Sequence, residues 1–333
     1  LNIINPKKFM QIDDFSFNSL EIFKKTDGEK SGSLISVIDK TNTPLGGRLL
    51  KEYIKFPLIE IEEIKKRHDL VKIFIDETNL LTSLRNFLKE TPDVERAISR
   101  ITANINNPRD LIIVLNFLKT SQNIFKILKD YHNKKFKTLY LEESIIKKLL
   151  NLENLIEKTI NPNTPNIITN GDVINAGVEP ELDRLRDIKN IKKEEIVKLQ
   201  LNYVKETQVG NLKIKFNNIH GYFIEVTNKN SSKLIESKGK IFNLIQNTMN
   251  ASRFQTPELL KLTKDIQESE FLALELEQKI YKDLCKEIRS ASTIISLVAK
   301  KIAYIDVIAN FAHISKTNNY VKPKLEEKIK IIE

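Results

Sequence analysis

Apolar positions recur along this chain with two different periods, and the change of period marks its organisation. From about residue 34 to residue 160 they return every three or four positions in short blocks, the spacing of amphipathic helices. Turn and cap residues separate the blocks. Asp39 to Pro44 feeds Leu45-Gly46-Gly47-Arg48-Leu49-Leu50, Pro57 closes the next helix, and Pro92-Asp93 and Asn107-Pro108 open two more. Residues 161–180, with Pro162, Pro165, Gly171, Gly177 and Pro180, read as a surface connector. Helical spacing resumes over 181–208 through Leu182, Leu185, Ile188, Ile191, Ile196, Leu199 and Tyr203.

The period then falls to two. In 211–216, Leu212, Ile214 and Phe216 share one face while Lys213 and Lys215 share the other. Turn residues Asn217-Asn218-Ile219-His220-Gly221 follow. Tyr222, Ile224 and Val226 then repeat the alternation with Phe223, Glu225 and Thr227 opposite, which predicts a hairpin. A third candidate strand lies between it and residue 253. Thr256 is a suitable N-cap and Pro257 a suitable first helical residue, after which no Gly or Pro interrupts until Pro323. The spacing predicts a nearly continuous helix over 257–317, on the order of 90 Å at about 1.5 Å per residue. With 181–208 it would form an antiparallel pair bearing a β-tip. The fold class is therefore mainly α, with long helices and a small antiparallel β-rich insert.

Charge sharpens this picture. The chain carries a formal net charge of +10, and residues 183–256 hold 14 Lys and Arg against 7 Asp and Glu, so most of the excess sits in the segment containing the hairpin. A local basic excess points to a polyanion, nucleic acid or an anionic membrane surface; the competing explanation is a solvated lysine-rich face. The single Cys285 allows no disulfide framework or thiolate cluster within one chain, and a reduced, cytoplasmic setting is expected. No apolar run long enough to span a bilayer is expected, nor is an N-terminal targeting segment. The start at Leu1 and the strand-like end at Lys328-Ile329-Lys330-Ile331-Ile332-Glu333 suggest a piece of a longer chain.

Catalytic patterns are sparse. Gly28-Glu29-Lys30-Ser31-Gly32 lacks the spacing of a nucleotide phosphate loop, and the histidines at 68, 132, 220 and 313 stand in no metal-binding frame. No cofactor or metal is expected in this segment, and no enzymatic activity. The better candidates for function are Lys213 and Lys215 on the first strand, Lys229, Lys233, Lys238 and Lys240 around the loop after the hairpin, and Asn250 with Arg253 beyond it. Together they would neutralise phosphates of duplex DNA without reading bases. Lysines on edge strands also serve simply to prevent sheet-to-sheet pairing.

Several motifs, in order, resemble one family. They are Met10-Gln11-Ile12-Asp13 with Asn18-Ser19-Leu20-Glu21, Gly32-Ser33-Leu34 with Asp39 to Leu50, Asp93-Val94-Glu95-Arg96, Arg100-Ile101 with Pro108-Arg109-Asp110-Leu111, Glu181-Leu182-Asp183, Gly221-Tyr222-Phe223-Ile224-Glu225-Val226, and Asn250-Ala251-Ser252-Arg253-Phe254-Gln255-Thr256-Pro257-Glu258-Leu259. Over most of its length the chain is similar to the lever and clamp regions of the MutS family of bacterial mismatch recognition proteins. The resemblance implies a core and lever domain over 1–182, with 161–180 as its connector loop. It implies a clamp domain over 183–256 that grips the DNA backbone, a second lever part over 257–320, and the start of a C-terminal ATPase over 321–333. It further implies a DNA-dependent ATPase using ATP and Mg in the full-length protein, a homodimer, a MutL-type repair partner, no membrane, and a bacterial cytoplasmic, nucleoid-associated setting. Ile245 and Met249 depart from the pattern, because family members often carry basic residues there.

Arg48, Arg96 and Arg109 lie inside these motifs beside Glu95 and Asp110, and helix capping and inter-helix ion pairs account for them. Phe216, Tyr222 and Phe254 are expected to pack beneath the tip, since a duplex offers no unstacked base. Two rival readings remain: an extended helical scaffold or interaction protein without nucleic-acid binding, and a nuclease or ATPase acting within this chain.

Overall fold

The helix signals in the sequence become helices with recognisable ends. The computed structural model describes residues 8–131, 133–238 and 241–325. Its α-helices are α1 Asp14–Ser19, α2 Leu34–Ile38, α3 Pro44–Lys55, α4 Ile61–Asp76, α5 Thr78–Glu90, α6 Val94–Thr102, α7 Pro108–Asp130, α8 Glu143–Thr159, α9 Pro180–Thr207, α10 Asn228–Lys238, α11 Pro257–Ser290 and α12 Ser292–Thr317. The strands β1 Lys213–Asn217, β2 Gly221–Thr227, β3 Asn243–Asn247 and β4 Ala251–Gln255 form one antiparallel sheet in the order β1-β2-β4-β3. The chain is mainly α with a small β insert, and it divides into two compact units, one built from residues up to Pro162 and from Leu284 onward, the other from Asn163–Asp283.

In the first unit, α12 is apolar on nearly every side, so it is buried all round. Ile295, Val298, Ile302, Ile305, Ile308 and Ala312 are each almost inaccessible, and α3, α4, α5 and α6 pack around the helix. Two polar residues one turn apart on α12, Asp306 and Asn310, are fully buried and organise the turn before α3. Asp306 accepts from the amides of Asn42 (3.0 Å) and Thr43 (2.8 Å) and from the Thr43 hydroxyl (2.7 Å). Asn310 accepts from the Lys40 amide and donates to the Ile38 carbonyl. The Thr43 hydroxyl in turn accepts from the Gly46 amide, capping α3, with Pro44 in its first turn. Gly46 is required there, because a Cβ would come within 2.2 Å of the Asp306 carboxylate.

Ion pairs join the helix starts. Arg48 pairs with Asp93 and Glu95, Arg96 pairs with Asp93, and the buried Asp110, which closes a capping box with Asn107 at the start of α7, pairs with Arg100 rather than with its neighbour Arg109. Contrary to the expectation from hydropathy, one helix, α7, is long and apolar enough to cross a membrane by length and composition. Its apolar side, including Leu111, Val114, Leu118 and Phe125, is covered by α5, α6 and α8.

The long C-terminal helix is not continuous. It breaks at Ala291, between α11 and α12, without Gly or Pro. The Ser290 hydroxyl donates to the Glu287 carbonyl, and the Ala291 amide is shared between the carbonyls of Glu287 and Ile288, so side-chain competition tightens the last turn.

In the second unit, α9 and α11 run antiparallel. Arg186 pairs with Glu277, Lys189 with Glu270 and Lys192 with Asp265, so partner numbers fall on one helix as they rise on the other. The stretch expected as a surface connector is instead anchored inside this unit. Val173 and Ile174 are buried, Glu277 accepts from the Val173 amide, and Arg186 donates to the Ile174 carbonyl. Burying two apolar side chains there demands partners for the adjacent backbone, and Arg186 and Glu277 supply them.

Candidate nucleic-acid interface

The sheet has an inner and an outer face, fixed by register. On the inner face Ile214, Ile224, Phe254 and Leu244 form a cross-strand row. Ile224, Val226 and Phe254 belong to a core with Leu199 and Tyr203 of α9, Leu234 of α10, and Leu259, Leu262 and Ile266 of α11. The Tyr203 hydroxyl meets that of Thr256 at 2.8 Å, fastening α9 to the residue that precedes α11. Burial pushes the phenols of Tyr203 and Tyr222 above their ordinary titration range. The β1–β2 turn closes against α11, where Gly221 has φ +69° and no room for a Cβ beside Thr263.

On the outer face, Lys213, Glu225 and Arg253 stand directly opposite one another across β1, β2 and β4. The Lys215 ammonium donates to Glu225 Oε1 at 2.6 Å, and Arg253 Nε donates to Oε2 at 3.2 Å. The Arg253 guanidinium also donates to Gln246 at 2.7 Å and lies 4.8 Å above the ring of Phe223, which is thereby buried on the charged side of the sheet. The hydrogen bond from Lys215, then that from Arg253, holds the Glu225 carboxyl below the usual carboxylate range.

The other sequence-predicted residues fall as follows. Lys229 and Lys233 are exposed, not in a loop but on α10, one turn apart on one side of the helix. The sequence 228–233 is so polar that only the buried Leu234 betrays the helix, which is why it reads as a loop. Lys238 is the last residue of α10, and Lys240 lies outside the described residues. Asn250 is exposed in the β3–β4 turn. That turn is tied to the start of α10 by Asn228, whose amide donates to the carbonyls of Thr248 and Met249 and whose oxygen accepts from Ser252. Phe254 packs as expected and Tyr222 is half-buried. Phe216, at the outer end of an edge strand, is 53% exposed, its ring 5.1 Å from that of Tyr222; the expectation that it packs beneath the sheet is corrected.

The sheet also has a strand more than the hairpin and third strand read from the sequence, since β3 and β4 make a second hairpin with a bulge at Leu244/Gln246. Residues overlooked at the site are Glu225 as a counter-ion, Gln246 and Phe223. Their one sequence signal is the strand register, because Glu225 is the single acidic residue of β1 and β2 and falls on the side that carries Lys213 and Lys215.

Gly28 and Gly32, the nearest sequence match to a phosphate loop, lie in a turn between α1 and α2 with φ +88° and +87°, and among the described residues no strand of the sheet precedes them. These residues do not fit ATP and Mg2+.

The family profile described as MutS domain III matches residues 16–312. The DNA mismatch repair protein MutS of Rickettsia bellii is 35% identical over 328 residues, covering 98% of this chain and 36% of that protein. The MutS of Rickettsia rickettsii (strain Sheila Smith) is 34% identical over 328 residues, with the same coverage. That of Rickettsia prowazekii is 33% identical over 325 residues, covering 97% of this chain and 36% of the relative. The chain thus spans about a third of the length of these curated relatives.

Proposed function

The chain belongs to the MutS family, and we propose that its sheet-bearing unit grips the backbone of duplex DNA, without regard to base order, as part of DNA mismatch repair. The observation that carries this reading is the outer face of the sheet. Lys213, Lys215 and Arg253 stand together there, and Lys229 and Lys233 are exposed on α10, whose Leu234 joins the core under the other face. Cations spaced across neighbouring strands suit a row of phosphates.

The proposal extends to the units suggested by the resemblance: a clamp over 183–256 borne by lever helices, and coupling of DNA binding to an ATPase in the full-length protein. ATP and Mg2+ chemistry, a homodimer, a MutL-type partner and a bacterial cytoplasmic setting belong to the same proposal. The alternative, a scaffold without nucleic-acid binding, draws support from one observation, the pairing of both Lys215 and Arg253 with Glu225.

A titration separates the two. Fluorescence anisotropy of a mixed-sequence duplex against the protein over a range of salt should give a log–log slope of about −0.9 per phosphate contacted. Reversing charge with Lys213→Glu and Lys215→Glu should weaken binding by at least about tenfold and flatten the slope by about two contacts. Equal binding by the double variant would remove these lysines from the reading, and no binding by the parent at low salt would establish the scaffold.

A further inference from the structure

A carboxylate in the middle of a phosphate-binding face is an obstacle, and the geometry at Glu225 makes it a specific one. Each of its oxygens is engaged by a different cation, Lys215 on one side and Arg253 on the other, and Lys213 stands directly opposite on the neighbouring strand. Arg253 is not free to swing away. Its guanidinium lies 4.8 Å above the ring of Phe223 and donates to Gln246, contacts that do not depend on the charge of Glu225. Glu225 is only partly covered, its side chain 19% accessible, so an incoming anion reaches the same two cations from the solvent side.

We infer that Glu225 is a built-in counter-ion that duplex DNA must displace or tolerate, so that this residue sets the affinity and the salt dependence of backbone binding. This rests on the clamp reading above. A phosphate contacting Lys215 or Arg253 sits within a few ångströms of the carboxylate, where the two like charges repel. The duplex either bears that repulsion or pushes the carboxylate off its partners. In both cases binding is weaker, and releases fewer counter-ions, than the number of cations on the face implies. A grip moderated in this way suits a protein that contacts backbone everywhere, because a weaker non-specific hold lets it leave ordinary DNA.

Glu225→Gln tests this, because it removes the charge while its amide oxygen can still accept from one of the two cations. Glu275→Gln changes net charge by the same amount at an exposed position on α11, eight residues beyond Gln267, which lies beside Gly221, and controls for the overall field. With this chain and a mixed-sequence duplex, Glu225→Gln should bind about tenfold tighter near 0.1 M salt, and its log–log slope should steepen by about 0.9–1.8. Glu275→Gln should stay within about twofold of the parent. Glu225→Thr, neutral and favourable in a strand, carries the same expectation should the glutamine variant fail to fold by circular dichroism.

Unchanged or weaker binding by the folded neutral variants, or an equal gain from Glu275→Gln, overturns the role of Glu225 while leaving the clamp reading in place. A parent protein that binds no duplex at low salt overturns the clamp reading, and this inference with it.

Discussion

Asp306 in the first unit and Glu225 in the second are both carboxylates held by several donors, and their surroundings give them opposite work. Asp306 is fully buried and its partners are backbone amides and a hydroxyl that cannot leave without unmaking the turn before α3. Glu225 is partly accessible beside two side-chain cations, one on a flexible, exposed lysine stem, and its bond to that lysine breaks and reforms at little cost. The difference teaches which charges to read as architecture. A charge whose partners are buried and fixed holds the fold; one whose partners are exposed remains available to a ligand.

The sharpest way to break the comparison is Asp306→Ala. It leaves two amides and a hydroxyl unpaired in the interior, and is expected to cost about 3–5 kcal/mol of stability. Since the chain has no tryptophan, denaturant unfolding followed by circular dichroism is the suitable measurement; a loss below about 1 kcal/mol would make Asp306 no more structural than Glu225.

Gly46→Ala forces a Cβ against the same carboxylate and should cost about 1–3 kcal/mol, detected in the same way. Full tolerance would mean that the α3 turn has room to retreat from α12.

The smallest effect is a pair of titrations of opposite sign, read by carbon NMR of the two carboxyls. Burial pushes Asp306 above its ordinary value of 3.8, so the native state holds its proton longer and this group's contribution to stability falls as pH rises from 3.8 through the raised value. Glu225 is held below its ordinary value of 4.5, so its contribution is present above 4.5 and is lost as pH falls through the lowered value. Two curves shifted in the same direction would erase the distinction.

The sequence made some of this legible. Period-two alternation at Leu212–Phe216 and Tyr222–Val226 located β1 and β2 and the side of the sheet that carries lysine, because strand geometry fixes parity without tertiary knowledge. The turn ending at Pro44 and the helix opening at Asn107-Pro108 were likewise visible as local chemistry. What escaped depends on partners distant in sequence or on weak local signals. Asp306 acts on residues more than two hundred and sixty positions earlier, as the separations of its bonds show. α10 has a single buried apolar anchor, and the break at Ala291 arises from one serine hydroxyl. At the candidate interface the lysines were evident and their counter-ion was not. Glu225 gains its meaning only when register sets it between Lys213 and Arg253.

The bond between Asp306 and the turn at Asn42–Thr43 also orders events on the ribosome. The turn emerges early and its carboxylate late, with the whole of Asn163–Asp283 made in between. At about 5–20 residues per second the nascent α3 stays without its anchor for roughly 10–50 s. The sheet-bearing unit completes its sequence before Asp306 emerges and can fold first, while the opening helices remain a client for chaperones until the last long helix arrives.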